Sequence, residues 1–148
     1  MISDKWDIRF LELAKLVSSW SKDPSTKVGA VIVDENRRIV SCGYNGFPRG
    51  VDDGVERYED RDTKYRLIVH ADENAILNAK GDVSGCTMYI WPIPPCSHCA
   101  KSIIQSGIAA VRFPMMDIPD RWMEDIRFSI AALNEAGVRT EFISMEDA

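Results

Sequence analysis

The chain has 148 residues, of which 45% are hydrophobic and 28% charged, and its formal net charge is −5. This length suits one domain with a buried core, so we expect a single domain over residues 1–148 with a frayed tail at 144–148. The acidic balance disfavours nucleic acid as a partner, and the lack of a ~20-residue apolar run or a signal peptide predicts a cytoplasmic protein that binds no membrane.

The first half of the chain predicts one helix, one hairpin and a long loop. Apolar residues at steps of three and four, from Trp6 to Trp20, indicate a helix over residues 5–20. Two β-like runs, Val28–Val33 and Arg38–Gly43, flank a polar turn and indicate an antiparallel hairpin. Residues 44–64 are rich in glycine and charge, which predicts a long surface loop, and such loops are often functional.

The second half of the chain alternates helices and strands. The predicted elements are a helix from residues 65–70 to Gly81, a strand Thr87–Trp91, a helix Ser97–Ser106 ending at Gly107, a strand Ala109–Phe113, a helix ending at Gly137 and a strand Val138–Ile143. Because β-α-β alternation implies parallel neighbours, the later strands are expected to run parallel. We therefore predict an α/β protein with three layers, α/β/α, around a five-stranded mixed sheet with an N-terminal antiparallel hairpin.

Two cysteines at a predicted helix start, Cys96 and Cys99, have the spacing of either a metal site or a redox pair. The N-terminus of a helix favours the thiolate form of cysteine, which both kinds of site need. The opening hairpin and long loop do not match the beginning of a thioredoxin-like chain, which favours the metal. His98 lies between the two cysteines, and we expect its side chain to point outward at the helix start.

His70 is the remaining histidine of the chain, and it stands at the predicted start of the preceding helix. One histidine and two cysteines make three ligands and leave a fourth position for water, as in catalytic zinc sites. The pattern therefore predicts a Zn²⁺ site. The other two cysteines, Cys42 and Cys86, have no partners at ligand spacing and are expected to be buried thiols in a reducing compartment.

The histidine, the acid two positions later and the Pro-Cys-x-x-Cys motif resemble the signature of zinc-dependent cytidine and deoxycytidylate (dCMP) deaminases. Three further stretches narrow the resemblance to the dCMP deaminases: SKDPSTKVGA at 21–30, GYNGFPRG at 43–50 and HADENAI at 70–76. The resemblance implies a cytidine deaminase-like fold and a homo-oligomer that acts on a small nucleotide or nucleoside. It also implies that a water activated by Zn²⁺ attacks C4 of a cytosine ring and that ammonia leaves.

The resemblance also implies roles for individual residues. His70, Cys96 and Cys99 occupy the ligand positions, Asn45 the position that holds the nucleotide sugar, and Ala30 the position where backbone meets the base. For Asn45 the alternative is an ordinary turn residue before Gly46. Lys22 and Arg49 are the basic residues nearest these motifs, and they are either contacts for a 5′-phosphate or solvated surface charges.

The chain departs from the family where a glutamate is expected two positions after the histidine, because Asp72 stands there. Aspartate is shorter by one methylene, roughly 1.5 Å, and a misplacement of about 1 Å can cost about a hundredfold in rate. Glu73 has the expected side chain and lies nearer the face of His70 on a simple helical wheel. Asn74, however, keeps the family's spacing, so we predict Asp72 as the proton shuttle, with Glu73 or a loss of activity as alternatives.

Two departures bear on the substrate. The stretch before the cysteines, residues 91–95, is rich in proline, and the stretch RFPMMD at 112–117 stands where many dCMP deaminases carry an aromatic pair. The alternatives to dCMP deamination are therefore a deaminase of another nucleobase, nucleoside or nucleotide, and a non-catalytic zinc-containing relative that binds nucleotides. The tRNA-editing branch shares the zinc motifs, but the acidic balance and the dCMP-like loop disfavour it.

Overall fold

Helices and strands follow one another along residues 4–146, the part of the chain that this computed structural model describes. The helices are α1 (Lys5–Ser18), α2 (Val55–Glu59), α3 (Arg61–Leu67), α4 (Ala71–Asn78), α5 (Ser97–Ser106) and α6 (Asp120–Glu135). The strands are β1 (Gly29–Val33), β2 (Ile39–Tyr44), β3 (Thr87–Trp91), β4 (Ala110–Pro114) and β5 (Arg139–Ile143).

The strands form one five-stranded sheet in the order β2-β1-β3-β4-β5. Strand β1 pairs antiparallel with both β2 and β3, whereas β3, β4 and β5 run parallel. Helix α1 packs on one face of the sheet, and α4, α5 and α6 cover the other. The structure confirms the predicted three-layer α/β/α fold and its mixed sheet with an N-terminal antiparallel hairpin.

The central strand β1 is buried on both faces because its side chains alternate between two cores. Ala30 and Ile32 join the core beneath α4, α5 and α6, while Val31 and Val33 join the core beneath α1. The second core also contains Phe10 and Leu11 of α1. Asp4 starts α1 by accepting hydrogen bonds from the backbone N–H groups of the first turn, which fixes the position of the helix on the sheet.

A glycine lets helix α4 lie directly on the hairpin. A Cβ atom at Gly43 of β2 would stand 2.5 Å from the backbone nitrogen of Ala75 in α4, closer than any real contact. Because only a hydrogen occupies that position, the helix backbone approaches the strand backbone. This close packing fixes the height of α4, and therefore the position of its N-terminal end, relative to the sheet.

The predicted helix from residues 65–70 to Gly81 is wrong, because two helices occupy this region. Residues 68–70 are extended, and Val69 exchanges two backbone hydrogen bonds with Gly46 at 2.8 and 3.1 Å. This pairing joins residues far apart in sequence, so helical periodicity cannot reveal it. Helix α4 ends at Asn78 because Ala79 is extended, with ψ of 135°, so Gly81 does not end the helix. The break places His70 immediately before α4.

Other differences are smaller. The predicted loop at 44–64 contains α2 and the beginning of α3. Helix α1 ends two residues earlier than predicted and leaves Trp20 outside it. Of the tail predicted to fray, Met145 packs against the core beneath α1, and residues 147–148 lie outside the described part of the chain. Within residues 4–146 no helix has the length and apolar character needed to cross a membrane.

Candidate active site

His70 and Cys96 occupy equivalent positions, each as the N-cap residue of a helix that begins at the site. Both residues have extended backbones, and their carbonyl groups accept the first helical hydrogen bonds, from the N–H of Asn74 and of Ala100 at 2.9 Å. Neither side chain caps its helix, so the imidazole and the thiol stay free to bind a ligand. Cys99 lies in the first turn of α5, and the three side chains converge.

The three side chains have the geometry of a metal site. Nδ1 of His70 lies 3.1 Å from Sγ of Cys99 and 3.5 Å from Sγ of Cys96. All three candidate ligand atoms lie within 4.8 Å of one another. A tetrahedral Zn²⁺ with bonds of about 2.0–2.3 Å would hold such atoms about 3.5–3.8 Å apart, so only small shifts would admit the ion. One imidazole and two thiols are also the donors that Zn²⁺ prefers in proteins.

The electrostatics of the cluster favour a thiolate. The hydrogen bond from the Cys99 thiol, together with that from His70, lowers the pKa of Cys96 to about 4 against the opposing effect of burial. The same hydrogen bond and burial raise the pKa of Cys99. The hydrogen bond with Cys96 raises the pKa of His70. One negative sulfur is thus already stabilised at neutral pH, and a bound cation would stabilise the second.

The two candidate acids face different surroundings. Asp72 is buried, with 4% of its surface exposed, and lies on the wall of a cavity together with His70 and Cys96. Burial is the main cause that raises the pKa of Asp72, and a hydrogen bond with Cys99 opposes it. Glu73 does not line that cavity, and its Oε1 lies 3.4 Å from Nε2 of His98, which is exposed as predicted. The carboxylate of Asp72 is not among the clustered ligand atoms, so three protein ligands leave a fourth position open.

The cavity beside the cluster has a volume of about 970 Å³, large enough for a nucleotide. Its wall comes from residues of the segment 23–28, Asn45, helices α2 and α3, Ile90 of β3, the start of α4, the segment 93–96 before α5, and the first two turns of α6. The predicted functional loop at 44–64 therefore contributes to the cavity through Tyr58, which stacks on Phe47 with ring centroids 4.1 Å apart.

The amide of Asn45 holds the segment before β1 in place. Its Oδ1 accepts a hydrogen bond from the backbone N–H of Val28 at 2.8 Å, and its Nδ2 donates to the carbonyl of Thr26 at 2.9 Å and to Asp23 at 3.2 Å. Asn45 also lines the cavity, so one lone pair of Oδ1 remains for a ligand. Ala30 is fully buried in β1, and its antiparallel partner Ile90 lines the cavity.

The structure places the two sequence-predicted phosphate contacts away from the cavity wall. Lys22 is an exposed residue that pairs with Asp53 at 3.0 Å, and Nη2 of Arg49 donates to Oδ1 of Asn78 at 3.0 Å. The basic residues that do line the cavity are Arg61, Lys64 and Arg121. No motif spacing predicted them, although Arg61 and Lys64 belong to the segment 44–64 that the sequence predicts as a loop.

Comparison with known proteins places this geometry in a family. Residues 4–115, more than half of the chain, match the family model described as the cytidine and deoxycytidylate deaminase zinc-binding region. The matched residues include the three candidate ligands and Asp72.

The chain is 47% identical over 148 residues to an uncharacterized deaminase in the luxG 3′ region of Aliivibrio fischeri, covering 99% of this chain and 98% of that protein. It is 42% identical over 142 residues to the deoxycytidylate deaminase of Homo sapiens, covering 90% of this chain and 77% of that protein. The fold matches a crystal structure of the dCMP deaminase of cyanophage S-TIM5 in complex with dCMP and dUMP, with a TM-score of 0.78 at 24% identity and coverage of 97% and 100%. The chain therefore belongs to the cytidine and deoxycytidylate deaminase family.

Proposed function

We propose that the protein hydrolyses dCMP to dUMP and ammonia. The observation that carries this proposal is that the His70–Cys96–Cys99 cluster and the buried carboxyl of Asp72 border one cavity of nucleotide size. The similarity to the human deoxycytidylate deaminase over most of both chains supports dCMP as the substrate. A small nucleotide is accordingly the proposed partner.

His70, Cys96 and Cys99 would hold the metal ion of this reaction. Zn²⁺, when bound, polarises a water molecule and lowers its pKa. Because two thiolates neutralise the charge of the ion formally, removal of a proton from that water also needs a protein base. Asp72 is the carboxyl residue on the cavity wall nearest these ligands in sequence, two positions after His70.

We infer that Asp72 acts as this base and then as the acid that protonates N3 of the ring. Burial raises the pKa of Asp72 above its ordinary value, which favours a carboxyl group that holds the proton taken from the water until it donates it to the ring. Glu73 pairs with His98 off the cavity wall, which supports assigning the shuttle to Asp72 despite its shorter side chain.

The remaining site residues orient the substrate. We assign Asn45 to the sugar, with the free lone pair of Oδ1 accepting a hydrogen bond from a hydroxyl group, because both its N–H donors are used within the protein. The backbone around Ala30 is assigned to the base, as the resemblance implies. Lys22 and Arg49 are not assigned to the phosphate, because each has a partner away from the cavity.

A single deaminase domain over residues 1–148, assembly into a homo-oligomer and a cytoplasmic location remain predictions. The continuous five-stranded sheet across the described residues supports the single domain. Light scattering coupled to size-exclusion chromatography measures the oligomeric state, and cell fractionation measures the location.

A substrate panel tests the proposed reaction. Zinc-loaded protein is offered dCMP, CMP, deoxycytidine, cytosine, and adenine and guanine nucleotides, and ammonia release and product are measured. We expect dUMP from dCMP at the highest kcat/KM. Preferred turnover of another compound would reassign the substrate, and tight dCMP binding without ammonia release would indicate a non-catalytic relative.

Two matched variants in the same assay test the acid. Asp72→Asn is expected to lose about 10²- to 10⁴-fold in kcat while it retains zinc, because general acid–base catalysis typically contributes that much. Glu73→Gln is expected to retain activity within about threefold, because this side chain does not line the cavity. The opposite pattern would transfer the role to Glu73.

A further inference from the structure

Two arginines on the cavity wall have no role in the chemistry proposed above. Arg121 belongs to the first turn of α6 and Arg61 is the first residue of α3. Both are exposed at the residue level, so their guanidinium groups are accessible to a ligand that enters the cavity. The two arginines come from elements on different parts of the wall.

Arg121 is connected to the metal cluster through Asp125, which lies one helical turn later in α6. Asp125 lies four residues later in α6, on the same helical face, where Cβ atoms of such pairs are about 5–6 Å apart. Asp125 accepts hydrogen bonds from the backbone N–H of Ser97 at 2.9 Å and from its hydroxyl at 2.7 Å, and Ser97 follows Cys96 directly. The position of Arg121 relative to the metal ligands is therefore set by a short chain of contacts.

Arg61 is positioned by an anchor within its own helix. No residue of α3 is buried, but Lys64, three residues after Arg61, forms an ion pair at 2.9 Å with the buried carboxylate of Asp23. Asp23 in turn accepts a hydrogen bond from Asn45. This pair anchors α3 to the segment before β1, and Arg61 lies on the cavity wall one helical turn before Lys64.

The two aspartates of the cavity wall that lie near these arginines have other partners, which leaves both guanidinium groups available to a ligand. Asp23 is matched by Lys64, and both carboxylate oxygens of Asp125 are occupied by Ser97. Among the described residues neither Arg61 nor Arg121 forms an ion pair, and their guanidinium groups instead lie 5.6 and 4.6 Å from the ring centroids of the neighbouring Tyr65 and Trp122. Glu59 is an exposed carboxylate on the same wall and would repel an anion. One arginine alone would therefore bind phosphate weakly.

We propose that Arg61 and Arg121 together bind the phosphate of the substrate and thereby select a nucleotide over the nucleoside. A guanidinium presents a planar set of donors that matches phosphate oxygens in a bidentate manner. This inference rests on the proposed deaminase function, and it replaces Lys22 and Arg49 as the residues that recognise the phosphate.

The test measures equilibrium binding of dUMP and of deoxyuridine, alongside kcat/KM for dCMP and deoxycytidine, in zinc-loaded protein. Arg121→Gln and Arg61→Gln are each expected to weaken dUMP binding and lower kcat/KM for dCMP by about 10- to 100-fold, the cost of a charged hydrogen-bonding partner. Deoxyuridine binding and deoxycytidine turnover are expected to stay within about twofold. Arg127→Gln of α6 and Arg66→Gln of α3 remove the same charge from the same helices off the cavity wall, and they should match the wild type.

The outcomes separate this inference from the proposed function. Equal losses for nucleotide and nucleoside, no loss in either variant, or a selective loss of dUMP binding in Lys22→Gln or Arg49→Gln instead would overturn the phosphate assignment. Selective weakening of dUMP binding by the two cavity variants would support it, even if the wild-type protein released no ammonia. That last result would overturn the deaminase proposal alone. Zinc content and circular dichroism of each variant establish that the fold is retained.

Discussion

Two polar clusters lie on opposite faces of the same sheet. Adjacent residues of β3 point toward these two faces. Tyr89 points into the α1 side, and Ile90 points to the cavity beside His70, Cys96 and Cys99. Both clusters contain buried ionisable groups that burial alone would penalise by several kcal/mol. They differ in whether they line the cavity.

The α1-side cluster is held together by hydrogen bonds and ion pairs between α1 and the sheet. The hydroxyl of Tyr89 donates to Oδ1 of Asp7 at 2.6 Å, and Arg112 donates to the same carboxylate at 2.7 Å. Burial raises the pKa of Tyr89, which keeps its hydroxyl protonated as a donor. Oε1 of Glu141 lies 3.5 Å from Nε of Arg112, and among the described residues this Nε and Oε2 of Glu141 are buried without a hydrogen-bond partner. These groups join α1 to strands β3, β4 and β5, and they do not line the cavity.

The metal-side cluster instead faces the cavity. Its thiols and imidazole contact one another, and Asp72 interacts with Cys99 and accepts a hydrogen bond from the backbone N–H of Glu73 at 3.2 Å. Burial of ionisable groups therefore does not by itself mark an active site. The distinguishing feature is access to the cavity, because His70, Asp72 and Cys96 line it, whereas Asp7, Tyr89, Arg112 and Glu141 do not.

Removal of a metal ligand is expected to have the largest effect. Cys99→Ala should lower zinc affinity by about 10³-fold or more and abolish deamination, because two ligands hold the ion poorly and metal binding contributes to folding. Zinc content after dialysis and ammonia release measure the effect. Cys42→Ala changes a thiol outside the cluster and should retain both. Full zinc occupancy in Cys99→Ala would refute the ligand assignment.

Arg112→Met tests the α1-side cluster. It should lower the free energy of unfolding by about 3 kcal/mol, because Asp7 stays buried without its cation. The zinc content and the kcat/KM of the folded protein should not change. Asp7→Asn combined with Arg112→Met removes the unpaired charge and should recover part of the loss. Urea denaturation measures all three proteins, and a loss of zinc in Arg112→Met would contradict the separation of the two clusters.

The parts of the site that could be predicted from sequence are those encoded by short spacing. The thiols of Cys96 and Cys99 are three residues apart at a helix start, so their convergence follows from local geometry. His70 was recognised by motif. The fold class was confirmed as well, because hydrophobic periodicity and the β-α-β order determine the sheet at that level.

The parts that could not be predicted depend on contacts distant in sequence. The break before His70 results from the Val69–Gly46 bridge, and the cavity cations come from α3 and α6, about sixty residues apart. The prediction for Lys22 and Arg49 rests on their nearness to the motifs, but nearness along the chain does not determine where a long side chain points. Their pairs with Asp53 and Asn78 exist only in the folded structure.

Asp125→Ala is expected to have the smallest effect of these variants. Asp125 lines the cavity, but both of its carboxylate oxygens accept hydrogen bonds from Ser97. We expect a loss of about 0.5–1 kcal/mol in the free energy of unfolding at pH 7, a small value because the carboxylate is exposed and screened by solvent. The hydrogen bonds from Ser97 lower the pKa of Asp125 in the folded protein. The stabilisation is therefore present above the unfolded pKa of about 3.9 and is lost as the pH falls through the folded value.

The difference between wild type and Asp125→Ala should accordingly be equal at pH 7 and pH 5 and smaller at pH 3, measured by urea denaturation with both proteins stripped of metal. Asp125→Asn keeps an acceptor for the Ser97 N–H and should lose less than the alanine variant at pH 7. A loss in Asp125→Ala that stays constant down to pH 3 would mean that the ionised carboxylate does not cap α5. In zinc-loaded protein the same variant should retain its metal. Asp125 hydrogen-bonds to Ser97 and supports the start of α5, but it is not one of the candidate metal ligands.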